Sequence, residues 1–278
     1  MADEPSLPYC PIPPVMKIYY QWNSEGFYTF HVCGADQRDR LFAVKVHSGY
    51  SMSAPLHVNQ GIYLYNGPTT KFPLLAAAGD DFPLLSSLPV NNNSQIWIPA
   101  RKSNGLVTET MRAYLTQDKH AAFRFSTEIM SSKRMNRQPF EWRNINRSER
   151  GEDNTEHGGF RLFLLTELDQ NTPSGKGGSG RNSSDQGESG SSQSTSTSSA
   201  AASKDEVVAI LEWKSFWTSP KHPFDLKLVG RGLSFGERWN TTVIITALRL
   251  WELHGRGKSQ RGSVALAEMV GPKEKLAK

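Results

Sequence analysis

Six basic side chains crowd one short segment: Lys133, Arg134, Arg137, Arg143, Arg147 and Arg150 fall within eighteen residues. A guanidinium presents a planar fork of N–H donors that matches phosphate oxygens two at a time. If a strand end and its loops converge, the cluster can grip an inositol phosphate or an anionic membrane surface, where each basic residue is worth about 1 kcal/mol. The competing reading is a solvated basic loop, partly neutralised by Glu141, Glu149 and Glu152. A second, sparser basic group, Arg256, Lys258 and Arg261, lies near the C-terminus.

Catalytic chemistry finds no matching pattern. The seven histidines (31, 47, 57, 120, 157, 222 and 254) are scattered, and none stands with Cys or carboxylates at metal-ligand spacing. His254 reads as a charge at a helix end. There is no Gly-x-Ser-x-Gly and no P-loop. Gly175–Gly180 is low-complexity sequence without the strand and helix that a phosphate cradle needs. Asp80-Asp81 reads as a turn. The expectation is a protein with no catalytic residue, no metal and no cofactor.

The elements that must position the basic cluster read as short strands. Residues 27–33 and 41–46 are rich in aromatic and β-branched side chains and flank a Gly/Asp turn, which predicts a hairpin. Further runs at 61–65, 74–78, 95–98, 121–129, 138–145, 160–165, 207–213 and 224–229 also read as strands, and 106–115 fits strand or helix, with Thr108, Thr110 and Tyr114 favouring strand. In 138–145, Phe140 and Trp142 share one side, with Glu141 and Arg143 on the other. Ten to twelve such strands with almost no amphipathic helix predict a mainly β barrel or sandwich. Residues 1–14 are Pro-rich and read as a flexible arm. The Ser/Gly tract 170–203 has almost no large apolar side chain to offset the entropy of ordering it and reads as a disordered loop insertion within one domain spanning 15–258. Residues 259–278 read as a polar tail.

The chain has 278 residues, 37% of them apolar, with a net charge of +5, a mild bias towards anionic partners. Its two cysteines are no disulfide scaffold. The N-terminus lacks a basic segment followed by an apolar one, and no apolar run reaches the roughly 18–20 residues that cross a bilayer. The reading is an intracellular protein, cytoplasmic or peripheral to a membrane.

The most apolar stretch lies near the end, from Gly236 to Lys258. Ser234-Phe-Gly-Glu237 fits a capping box before it, and Gly255 fits a stop. On a helix, Trp239, Val243, Ala247, Leu250 and Trp251 share one side, and Ile244, Ile245, Leu248 and Leu253 fill much of the rest. Asn240, Arg249 and Glu252 leave only a narrow polar stripe, so such a helix must be surrounded. A helix lying on an open sheet and a buried strand are the alternatives.

These residues carry a resemblance. Ala121–Ser126, Phe140-Glu-Trp-Arg143, Val208–Glu212 and above all Phe235–Glu252 together resemble fungal proteins of the tubby C-terminal-like class, related to the LURP-one-related proteins and the phospholipid scramblases. The resemblance implies a barrel of about twelve strands enclosing a hydrophobic helix, with Trp239, Val243, Ile244, Ala247, Leu248 and Trp251 in its core. It also implies phosphoinositide binding through basic side chains on the barrel surface. The leading expectation is therefore a non-enzymatic module that docks on anionic phospholipid. The alternative is a protein-interaction scaffold regulated through the Ser-rich loop. Nucleic-acid binding would need exposed aromatics interleaved with Lys and Arg, and Trp142-Arg143 is the only hint of that.

Overall fold

The computed structural model describes residues 8–22, 28–81, 92–100, 105–131, 134–145, 158–165, 205–215 and 221–270. The Ser/Gly tract lies outside them. Twelve strands are present among the described residues: β1 Val15–Trp22, β2 Tyr28–Cys33, β3 Arg40–His47, β4 Gly61–Tyr65, β5 Leu74–Asp80, β6 Ser94–Pro99, β7 Leu106–Leu115, β8 Ala121–Ser131, β9 Arg134–Asn144, β10 Gly159–Leu164, β11 Glu206–Trp213 and β12 Phe224–Leu228. Each pairs antiparallel with its neighbour in sequence, and β1 pairs with β12, with Met16 opposite Leu226 and Ile18 opposite Phe224. Closure leaves no sheet edge along the circuit, so the expected twelve-stranded barrel is the observed one.

Alternation sets the interior. Met16, Ile18, Phe30, Val32, Phe42, Val44, Ile62, Leu64, Phe123, Phe140, Trp142, Phe160, Leu162, Phe224 and Leu226 are spaced two apart on their strands, and all are buried. Cys10 and Cys33 are free thiols.

The helix α1, Glu237–Gly255, runs inside this wall. At nineteen residues it is about 28 Å long. It packs against β4, β5, β6 and β8, while Trp239 meets Phe140 of β9 at 5.9 Å and Trp251 meets Phe30 of β2 at 4.6 Å and Phe224 of β12 at 6.5 Å between ring centroids. Strands on opposite sides of the barrel thus touch one helix. Trp239, Val243, Ile244, Ala247 and Leu248 are fully buried, and Trp251 is half-buried at the rim. The buried threonines on α1 satisfy their hydroxyls locally: Thr241 and Thr242 donate to the carbonyls of Glu237 and Arg238. Thr246 donates to the Val243 carbonyl and accepts the indole N–H of Trp142 at 3.1 Å.

Both ends of α1 differ from the expected signals. Ser234 does not cap it: residues Gly230–Ser234 form a 3-10 turn in which Ser234 Oγ donates to the Arg231 carbonyl, and the N-cap is Gly236 at φ 93°, with no side-chain cap. At the other end Gly255 is still helical. The left-handed residue is Gly257, φ 70°, and the Gly257 N–H donates to the His254 carbonyl while the Lys258 N–H donates to that of Leu253. This is a Schellman closure, which turns Lys258 back over the helix end.

Two terminal segments also differ from the reading. The arm is anchored from Tyr9 onward: its amide donates to Asn66 Oδ1, its ring packs on Phe42 and Phe72, and Cys10 and Ile12 lie against the core. The polar tail contains a second helix, α2 Arg261–Val270, which buries Val264 against the barrel.

Gly159 opens β10 at φ 147°, where a Cβ would stand 1.9 Å from the Leu211 carbonyl oxygen of β11. Gly159→Ala is expected to cost about 1–3 kcal/mol, read as a lowered urea midpoint at unchanged m-value.

Candidate functional site

Strand β9 carries the predicted cluster but does not gather it. From Arg134 to Asn144 it spans about 33 Å, so the β8–β9 hairpin end and the β9–β10 end lie at opposite ends of the barrel wall. Lys133, Arg147 and Arg150 lie outside the described residues, and Arg134 is placed by its backbone alone, opposite Ser131. Arg137 is exposed and forms a two-pronged pair with Glu109 of β7. Arg143, at the far end, is the predicted residue that enters a site.

That site is a groove of about 560 Å3 on the outer face of β7 to β10, lined among others by Arg124, Arg143 and Arg161 and by the carboxylates Asp118, Glu141 and Asp205, with Tyr114 and Phe163 beside them. Period-two alternation places these side chains outside, because Phe123, Phe140, Trp142, Phe160 and Leu162 take the inner positions. Register decides the rest. Arg112 of β7 stands directly opposite Arg124 of β8, and Arg143 of β9 directly opposite Arg161 of β10, while Glu141 faces Arg124 on one side and Phe163 on the other. Two cross-strand Arg–Arg pairs thus flank one buried carboxylate. Like charges opposite each other in a sheet are destabilising, and Glu141 and Asp205 offset part of that here.

Arg143 is held firmly. Its Nε donates to Glu141, its guanidinium meets Asp205 at 2.7 Å, and the plane lies 4.5 Å over the Phe163 ring. Burial opposes its charge, but Glu141 and Asp205 outweigh that and raise its pKa. Tyr114 donates its hydroxyl to Glu141; burial, reinforced by that carboxylate, pushes its pKa well above the ordinary value against the opposing Arg124 and Arg143. Tyr114 is therefore a neutral donor and not a phenolate nucleophile. Among the described residues the Arg124 side chain, on a backbone paired with β7 and β9, forms neither a hydrogen bond nor an ion pair. The groove can thus present guanidinium forks to phosphate oxygens.

The other predicted features are structural. Arg256 and Lys258 are not a surface basic patch: with Arg249 they surround Asp80 and Glu252 where α1 leaves the barrel. Asp80 ends β5 instead of forming a free turn, and it is fully buried. His254 stacks on Trp213 at 4.8 Å, and burial lowers its pKa, which disfavours the charged dipole partner expected of it. Among the described residues, no group of three or more His, Cys, Asp or Glu could hold a metal ion, and no helix is long and apolar enough to cross a membrane.

Sequence reading missed Arg112, Arg124 and Arg161. Each sits at an outward position of its strand, but that phase becomes a shared site only once register is known. No protein-family model, curated protein or solved structure matches the chain.

Proposed function

We propose that this protein is a non-catalytic binding module of the tubby-like class that docks on anionic phospholipid through the β7–β10 groove. The class assignment is supported by a closed twelve-strand barrel built around one apolar helix. The lipid reading rests on the three arginines that line the groove, Arg124, Arg143 and Arg161, with Arg112 opposite Arg124 on the same outer face. A bound phosphate would add acceptors for the Arg124 fork and offset positive charge on this face. Phe163 and Tyr114 give the groove apolar walls beside those donors.

Sedimentation with vesicles tests this. The protein is expected to co-sediment with phosphatidylcholine vesicles containing phosphatidylserine or a phosphoinositide, and to leave them as ionic strength rises and screening shortens the reach of the charges. Arg112→Ala with Arg124→Ala removes about 2 kcal/mol, roughly a thirtyfold loss. These two stand directly opposite each other on the outer face of the barrel wall. Equal binding to phosphatidylcholine alone, or binding indifferent to salt and to both substitutions, overturns the proposal.

A further inference from the structure

Helix α2 is built the wrong way round for a helix on a water-facing surface. At 100° per residue, Gly262, Leu266, Met269 and Val270 fall within about 100° of one another, roughly opposite the buried Val264. The face turned away from the barrel is the one that should be polar, and it carries no charge. Leu266 is 41% exposed, Met269 80% and Val270 62%. The one acidic side chain of α2 is used inward: Glu268 Oε1 accepts the Leu115 amide of β7 at 2.8 Å. That amide is open because β6 pairs with β7 only as far as Met111. At the other end Ser263 meets Asn92. The helix is therefore pinned to the barrel wall with its apolar side outward.

Its position gives that side an occupant. Leu115 lies between Tyr114 and Thr116, and both line the arginine groove. The bond to Glu268 thus ties α2 to β7 between two residues of the groove lining. An apolar helical face next to a groove that carries Arg124, Arg143 and Arg161 matches the layering of an anionic bilayer, with phosphates outside and acyl chains beneath.

We infer that α2 is a membrane-insertion element: its Leu266/Met269/Val270 face enters the interface of an anionic bilayer while the groove engages the headgroups. This rests on the lipid-docking reading of the groove and adds to it a second, apolar anchor. Interfacial helices of this kind bury their apolar face about 5–10 Å deep, and stable attachment commonly needs two signals, one apolar and one electrostatic.

The experiment uses the full chain with an environment-sensitive fluorophore attached through Met269→Cys, the half-buried Cys10 being replaced by serine. Vesicles are phosphatidylcholine alone or phosphatidylcholine with phosphatidylserine, with and without lipid-borne nitroxide quenchers. On the anionic vesicles the fluorophore is expected to shift to the blue and to be quenched from the acyl region. Leu266→Ser with Met269→Ser, both at exposed positions, should leave folding and low-salt binding in place but weaken binding at high salt by about tenfold or more. A fluorophore that stays in water while the protein remains vesicle-bound overturns the insertion role and leaves the groove reading standing. If the unsubstituted protein binds no anionic vesicle, both fall. A concentration-dependent dimer that the double serine variant abolishes also overturns it, since a second copy would then cover the face.

Discussion

Asp80→Asn is expected to lower the stability of the barrel by about 3–5 kcal/mol, the cost of breaking a buried ion pair from one side. The carboxylate is fully buried and shared: Arg249 and Arg256 donate to it, and Lys258 Nζ lies 3.5 Å away. Glu252 is the other carboxylate of the cluster, and Ser94 Oγ accepts from Arg249 Nε at 2.8 Å. Three cations thus face two carboxylates. The asparagine keeps the shape but leaves three cations with one carboxylate, two of those cations buried. Arg249→Met leaves two cations facing two carboxylates and is expected to cost clearly less, although Arg249 is the more central side chain. Urea unfolding of both variants decides the order; a larger loss for Arg249→Met would refute the charge-balance account.

The same cluster predicts a pH dependence. Burial, with Arg256 and Arg249 nearby, holds the Lys258 ammonium below its ordinary pKa of 10.5, against the pull of Asp80. A lysine depressed in the folded state binds fewer protons there than in the unfolded chain. Its contribution to stability therefore rises with pH between its folded pKa and 10.5. Removing the Asp80 charge lowers the folded pKa further and widens that window. The deficit of Asp80→Asn relative to the parent should accordingly shrink as pH climbs from neutral towards 10.5.

Trp239→Ala is expected to cost about 3–5 kcal/mol, a large share of the 5–15 kcal/mol that holds a domain together. The indole is fully buried at the start of α1, with ring centroids of Phe235 at 5.1 Å and Phe140 at 5.9 Å. It is also where the 3-10 turn closes over the barrel: a Cβ on Gly232 would come within 2.8 Å of the Trp239 ring. Collapse into the vacated space is blocked, because the surrounding strands are fixed by their closed hydrogen-bond circuit. Trp239→Phe should cost clearly less, since it keeps an aromatic ring and removes an indole N–H that has no partner among the described residues. If alanine and phenylalanine destabilise equally, packing is not what Trp239 supplies.

The contrast between these two sites shows what could be read in advance. Trp239 follows from composition: on a helix apolar nearly all round, a large ring must be inside. Asp80 does not. Its partner Arg249 lies 169 positions away, and locally Gly-Asp-Asp looks like any turn. Arg249 looked like part of a solvent stripe and is instead enclosed, because the polar stripe of α1 is satisfied by β5 and β6 and not by water. The helix stop shows a milder form of the same limit. A glycine near the end was expected, but Gly255 and Gly257 are equivalent until the carbonyls of Leu253 and His254 select which amides they receive.

The candidate site divides likewise. Arg143 was legible as part of a basic run; its neighbours Arg112, Arg124 and Arg161 were not, since a one-residue slip in any of these strands would turn its arginine into the core.

By itself the sequence determined the local periods: alternating apolar residues that had to become half-buried strands, and one segment too oily for any surface. Closure and register belong to the tertiary structure. They depend on which amides pair across strands distant in the chain, and only that pairing put four arginines on one outer face and a buried aspartate at the mouth of the barrel.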